Sequence, residues 1–121
     1  MTAAWRTGRR GETIAAWWLR LKGYAILAQG YTVGRGTGAG EIDIVAKRGR
    51  TIAFVEVKAR ADAAAAAEAI RPAQRRRIAR GAAAFLAAHP RLAACAIRFD
   101  AVLLVPGRLP RHISDAWRMD A

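Results

Sequence analysis

Phe54-Val55-Glu56-Val57-Lys58 is the stretch on which the fold of this chain turns. It ends a run, Thr51 to Lys58, rich in β-branched and aromatic residues, the composition of a strand. Residues two apart in a strand share a face. Glu56 and Lys58 are therefore expected to point one way and Val55 and Val57 the other, into a core. Upstream, Glu41-Ile42-Asp43-Ile44-Val45-Ala46 alternates acidic and apolar residues. Glu41 and Asp43 are expected on one face of that strand, Ile42 and Ile44 on the other. Lys47-Arg48-Gly49-Arg50 between them is a polar turn with a glycine, so the two runs read as a hairpin. Such a hairpin can set Asp43 beside Glu56. Two carboxylates and an ammonium then share one side of a largely apolar sheet.

That grouping has a chemical meaning. Adjacent carboxylates repel unless something neutralises them, and a divalent cation does so well. Mg²⁺ takes a few carboxylate oxygens and keeps water in its remaining octahedral positions. Those positions can receive a phosphate and an attacking water whose pKa the metal lowers. A neighbouring lysine can orient the water, accept its proton or stabilise negative charge. The plainer reading makes Asp43 and Glu56 solvent-facing strand residues with Lys58 as a cross-strand charge partner.

The surrounding elements follow from periodicity. Gly8 to Lys22 reads as a helix, with Ile14, Trp17, Trp18 and Leu21 as its apolar stripe and Gly23 as its stop. Trp17 and Trp18 are expected in the core, with room for one to stay exposed beside Arg20. Tyr24 to Thr32 reads as a strand, and Gly34 to Gly40 as a glycine-rich loop. That loop lacks the Gly-Lys-Ser/Thr of a P-loop and leads into a strand, which argues against a phosphate cradle. Ala61 to Ala69 is alanine-rich, a helix extension or a mobile loop. A helix is expected from Pro72 to Ala88 and a strand from Ile97 to Val105. His112 to Met119 adds a short strand or a turn of helix. The order is helix, three strands, helix, strand: one α/β domain over residues 1–121, a mixed sheet with flanking helices.

Lys and Arg number 21 against nine Asp and Glu, a formal net charge of +12. This favours polyanionic partners, nucleic acid first and an anionic membrane surface second. Arg71, Arg75, Arg76, Arg77 and Arg80 crowd one helical segment, a face for DNA phosphates or a solvated one. Cys95 is the sole cysteine, so no intramolecular disulfide forms, which fits a reducing cytosol. No signal-peptide pattern opens the chain, since Arg6, Arg9, Arg10 and Glu12 interrupt it, and no apolar run is long enough to span a bilayer. A soluble cytoplasmic protein with no membrane partner is expected. His89 and His112 lack metal-ligand spacing, and structural roles are expected for them. Asp100 is expected to hydrogen-bond within the fold, and Glu41 to support the site or face solvent.

Asp43, a twelve-residue gap and then Glu56-Val57-Lys58 resembles the PD-(D/E)xK signature of the restriction-endonuclease-like superfamily. Ile42 stands where that signature often has proline. The wider chain resembles the YraN family of small bacterial proteins. The similarity lies in Gly11-Glu12, Gly40-Glu41-Ile42-Asp43-Ile44-Val45, Phe54 to Lys58, Arg98-Phe99-Asp100-Ala101-Val102 and Ser114-Asp115-Ala116-Trp117. The resemblance implies a restriction-endonuclease-like mixed sheet flanked by helices. It further implies Asp43, Glu56 and the Val57 carbonyl as ligands of Mg²⁺ or Mn²⁺, with Lys58 as the catalytic lysine. Glu12 would reach in from the first helix, as an equivalent glutamate does in archaeal Holliday-junction resolvases. Gln74 falls where several related nucleases carry an active-site glutamine. The implied activity is a Mg²⁺-dependent endonuclease on structured or branched DNA, such enzymes often being two-fold homodimers. The alternative is a non-catalytic nucleic-acid-binding module that keeps the fold.

Overall fold

The structure, a computed structural model, describes residues 9–119. Its elements are helix α1 (Arg9–Leu21), strands β1 (Ala25–Val33), β2 (Gly40–Arg48) and β3 (Thr51–Ala59), helices α2 (Ala63–Glu68) and α3 (Pro72–Ala88), and strands β4 (Ala96–Leu104) and β5 (Arg111–Trp117). The expected helix start at Gly8 lies outside the described residues. Five strands form one sheet in the order β1-β2-β3-β4-β5. All neighbours are antiparallel except β3 and β4, which run parallel. A parallel pair needs a long crossover, and the α2–α3 segment supplies it. This is the α/β mixed sheet flanked by helices that the resemblance implied. The alanine-rich stretch forms α2, with the Asp62 carboxylate accepting from the Ala65 N–H at 2.8 Å at its start. The C-terminal segment forms a full strand, β5.

Two cores lie on the two sides of the sheet. On one side α3 presents Ile78, Ala82 and Phe85 to Ile42, Val45 and Phe54. On the other, α1 presents Ala15, Ala16 and Leu19 to Ile44, Val55 and Val102. Residues Ile52 to Glu56 of β3 are all buried, as a central strand covered on both faces requires. Each large side chain buried there contributes on the order of 1.5–3 kcal/mol.

Two expectations from periodicity need correction. The α1 stripe is not Ile14, Trp17, Trp18 and Leu21, because Trp17 is 60% and Leu21 78% exposed. The helix instead turns its small residues Ala15 and Ala16 inward, which lets its axis come close to the sheet. Trp17 lies outside under the Arg20 guanidinium, 5.0 Å from the ring centre. The second correction concerns Ile42 and Ile44, which do not share a face. Ile42 joins Val45 on the α3 side, and Ile44 joins Ala46 on the α1 side. The same phase shift runs through β1, where Ala28 and Tyr31, three apart, both pack toward α3. Between them Gly30 has φ +61°, a left-handed conformation that breaks strict alternation.

Helix α3 sits unusually close to β2. A Cβ on Gly40 would lie 2.5 Å from the Gly81 nitrogen, and a Cβ on Gly81 would lie 2.9 Å from Ile42 Cγ1. Glycine inside a helix costs about 1 kcal/mol relative to alanine, so close packing accounts for Gly81. This contact sets the height of α3 above the sheet. Gly40→Ala must push the helix backbone outward, and it is expected to lower stability by roughly 1–3 kcal/mol, read from the midpoint of urea unfolding.

Candidate metal centre and nucleic-acid cleft

The phase shift at Gly30 marks the row where the polar residues gather. The β2–β3 ladder pairs residues from Arg48 with Thr51 up to Ile44 with Val55. One row further, Asp43 faces Glu56, and the backbone ladder gives way to a side chain. The Val57 N–H donates to Asp43 Oδ2 at 2.8 Å. On the other flank, Gln29 pairs with Ile44 and Tyr31 with Ile42, so Gly30 lies across from Asp43. A Cβ on Gly30 would stand 3.8 Å from Glu12 Oε1. The first turn of α1 therefore lays the Glu12 carboxylate over Gly30, in the row that continues through Asp43 to Glu56.

Glu56 is 3% exposed although it carries a carboxyl group. Its Oε2 accepts from Gln74 Nε2 of α3, and Lys58 Nζ stands 3.4 Å from the same oxygen. Burial pushes its pKa up to about 9, helped by the hydrogen bond and the negative charge of Asp43, with Lys58 pulling the other way. With no cation beside it, the Glu56 carboxyl favours its protonated form at neutral pH, its side chain hydrogen-bonded to Asp43. Among the described residues no group of three or more His, Cys, Asp and Glu clusters as a metal cage. The donors brought together are a carboxylate pair, with Gln74 and Lys58 on Glu56 and the Glu12 carboxylate over Gly30.

A cleft of about 330 Å³ opens over Glu56, lined by Glu41, Glu56, Arg71, Gln74, Arg77 and Ile78. Arg77 donates to Glu41 Oε2 at 2.8 Å, and both side chains are about half exposed. The arginines of α3 do not form one face. Arg71 and Arg77 line the cleft, and Arg76 is exposed. Arg80 Nε donates to the Ala39 carbonyl at 2.9 Å, bracing the loop before β2. Arg75 lies over the Trp117 ring, 5.7 Å from its centre, with its Nε buried and unpartnered. Two of the five are thus held by the fold, because the helical turn that faces one residue to the cleft sends the next toward β5.

A second polar group lies on the α1 side of β4. Asp100 is fully buried and accepts from Arg98 Nε and an Arg98 terminal nitrogen at 2.8 Å, from His112 Nε2 at 2.7 Å and from the Asp115 N–H at 3.0 Å. Arg98 continues to the Tyr24 hydroxyl, and Lys22 Nζ stands 2.6 Å from His112 Nδ1. His112 therefore accepts from Lys22 at Nδ1 and donates to Asp100 from Nε2. Burial raises the Asp100 pKa, but the bonds from His112, Arg98 and the Asp115 N–H outweigh it and hold the group at about 2. The network ties β4 to β5 and to the start of β1. Sequence reasoning placed Asp100 in a hydrogen bond but missed its partners Arg98, His112 and the Asp115 N–H, and the link through Arg98 to Tyr24, 74 positions from that arginine. Gly30 was missed as well, its signal being a glycine inside a strand pattern.

The comparisons with known proteins agree in coverage and family. The model of the uncharacterised protein family UPF0102 matches residues 11–104. A UPF0102 protein of Paramagnetospirillum magneticum is 62% identical over 118 residues, 98% of this chain and 92% of that protein. One from Parvibaculum lavamentivorans is 53% identical over 116 residues, covering 96% and 84% of the two chains. One from Methylocella silvestris is 50% identical over 118 residues, covering 98% and 91%.

The raised pKa of Glu56 has a sign that can be measured. A carboxyl group whose folded pKa exceeds its unfolded value of 4.5 contributes stability fully below 4.5 and loses it as pH rises toward about 9. Glutamine mimics the protonated acid, accepting from Gln74 and donating toward Asp43. In metal-free buffer Glu56→Gln is expected to be more stable than the parent at pH 8 by about 1–3 kcal/mol. The two proteins should converge near pH 4, followed by thermal unfolding across that range.

Proposed function

We propose that this chain, which belongs to the uncharacterised protein family UPF0102, is a divalent-metal-dependent endonuclease that hydrolyses phosphodiester bonds in structured or branched DNA. The observation that carries this reading is the buried Glu56 carboxyl beside Asp43, with Lys58 Nζ 3.4 Å away, under a cleft that also holds Arg71 and Arg77. A carboxylate pair in an apolar setting is unfavourable by itself, and its oxygens suit a hard cation such as Mg²⁺ or Mn²⁺. Asp43 and Glu56 would hold that cation with the Val57 carbonyl, and Glu12 would approach from above Gly30. When bound, it supplies the positive charge that neutralises the pair and lowers the pKa of a water.

The remaining steps belong to the chain's own groups. Gln74 fixes Glu56 by donating to Oε2, so the carboxylate keeps one orientation. Lys58 places an ammonium 3.4 Å from Glu56 Oε2, where it orients the water or balances charge developing on the phosphate. Arg71 and Arg77 bind flanking phosphates, Arg77 by exchanging its Glu41 partner for a phosphate oxygen. The surplus positive charge steers nucleic acid to the cleft. No helix among the described residues is long and apolar enough to cross a membrane, and a cytoplasmic site of action goes with this reading.

A second reading, nucleic-acid binding without cleavage, draws on one observation: Gln74 and Lys58 already satisfy Glu56 in the absence of a cation. One experiment separates the two. Purified protein is incubated with duplex, single-stranded and four-way-junction DNA in Mg²⁺, Mn²⁺ or EDTA. The nuclease reading expects metal-dependent cleavage that falls at least about 100-fold in Asp43→Asn, Glu56→Gln and Lys58→Ala. DNA binding should persist in all three, and metal binding in Lys58→Ala. Cleavage that survives in the Asp43→Asn, Glu56→Gln double variant sinks the assignment. Binding without cleavage in any metal selects the second reading. A further expectation concerns the arginines: Arg71→Ala with Arg77→Ala should weaken binding and flatten its salt dependence. Arg75→Ala, whose side chain lies against Trp117, should act on stability instead.

A further inference from the structure

The hairpin between β4 and β5 carries a feature that the fold does not use. Its residues are Val105-Pro106-Gly107-Arg108-Leu109-Pro110-Arg111, without an acidic side chain. Leu109 is 76% exposed, and Arg108 and Arg111 are exposed on either side of it. Pro106 and Pro110 restrict the backbone on both flanks, and the Arg108 N–H closes a turn onto the Val105 carbonyl at 3.1 Å. The leucine is therefore displayed on a stiff tip rather than left on a loose loop.

Hollows lie on both sides of the hairpin. A hollow of about 210 Å³ lies on its α1 side, bounded by Ile14, Leu104, Pro106 and Pro110. On the other side a hollow of about 360 Å³ is lined by Leu103, Val105 and Leu109, with Arg108 and Arg111 at its rim. The hairpin also rises at the end of the sheet that bears the candidate site. Lys58 pairs with Leu103 and Ala59 with Leu104, and the Arg60 N–H donates to the Leu104 carbonyl at 3.2 Å. Its base is thus one strand away from Lys58, a separation of about 4.8 Å between neighbouring strands.

We propose that this hairpin is a second nucleic-acid subsite, one that receives an unstacked nucleotide. Leu109 wedges against the base and the apolar floor of Leu103 and Val105, while Arg108 and Arg111 take the adjoining phosphates. An apolar wedge flanked by guanidinium groups matches an opened base step, which exposes an apolar base face next to negative charge. A continuous duplex keeps its bases stacked and offers no such face. The subsite would bring a branch point or a distorted step to the carboxylate pair, and it rests on the reading of the cleft as a nucleic-acid site.

The test uses the full chain in EDTA, so that cleavage plays no part. The probes are a four-way junction with 2-aminopurine at the branch point and a continuous duplex with 2-aminopurine at its centre. The parent should raise the fluorescence of the junction on binding, leave that of the duplex flat and bind the junction about tenfold more tightly. Leu109→Ser should abolish the rise and the preference, and Leu109→Met should keep both. The Arg108→Ala, Arg111→Ala pair should lose the junction preference and supplies the same test if Leu109→Ser fails to fold. An unchanged rise in both folded variants overturns the subsite. So does a parent that cleaves DNA in Mg²⁺ yet gives no rise in EDTA, a result that leaves the nuclease reading standing. A parent that gives the Leu109-dependent rise but never cleaves defeats the nuclease reading alone. Binding to phosphatidylglycerol vesicles that is lost in Leu109→Ser, with junction binding intact, assigns the hairpin to a membrane and also overturns the proposal.

Discussion

Glu56 is the constraint around which this structure is arranged. A carboxyl group in the middle of a strand covered on both faces loses its water, and burial alone makes its charged form costly. The chain answers with three elements that converge on one residue. β2 supplies Asp43, α3 supplies Gln74 and β3 itself supplies Lys58. Each depends on something else being in place. Gln74 reaches Glu56 only because Gly40 and Gly81 let α3 settle close to β2. Asp43 holds the Val57 N–H only because the β2–β3 ladder stops one row earlier, at Ile44 and Val55. The local price in regularity is visible on β1 and β2, where the residues facing α3 shift phase by one across Gly30 and Asp43.

The two polar centres of the molecule solve the burial problem in opposite ways. Asp100 is fully buried and fully satisfied, with Arg98, His112 and the Asp115 N–H holding it ionised. Such a network is costly to break, because removing one partner leaves the others desolvated and unpaired. It acts as a rivet between β4, β5 and the start of β1. The Asp43–Glu56 pair is short of positive charge instead, and Glu56 answers by holding a proton. On the proposed reading, a group whose ionisation is suppressed by its surroundings, at the floor of a cleft, serves chemistry rather than cohesion. The difference in protonation between two buried carboxyl groups of one small sheet follows from which cations their neighbours bring.

The arginine surplus is divided in the same manner. A helix carrying Arg71, Arg75, Arg76, Arg77 and Arg80 looks uniformly basic along the chain, yet its 3.6-residue turn distributes those side chains around the axis. Arg80 holds a loop carbonyl, Arg75 covers an indole ring, and Arg71 and Arg77 remain at the cleft. Net charge therefore overstates the surface available to a polyanion. The exposed Arg108 and Arg111, with no acidic neighbour in their hairpin, add to that surface from an element whose short sequence carries no strong signal of its own.

Local pattern was enough for much of the architecture. Alternation in Thr51 to Lys58 and Glu41 to Ala46, with a polar glycine turn between, determined a hairpin, and the face shared by Glu56 and Lys58 follows from strand geometry alone. Pro72 marked the start of α3, and Gly23 the end of α1. Family membership was legible because the resemblance runs through short blocks spread over nearly the whole chain. What the pattern could not reveal depends on contacts between distant segments. The inward face of α1 was decided by how closely a helix of small residues can approach the sheet, which sent Trp17 and Leu21 outward. The split between Ile42 and Ile44 was decided by a backbone irregularity shared by two paired strands, and a one-residue phase change leaves no mark on a period-two pattern until its partner is known. The partners of Asp100 and the protonation of Glu56 were decided last. Both are sums over charges and desolvation contributed by elements that meet only in the folded chain.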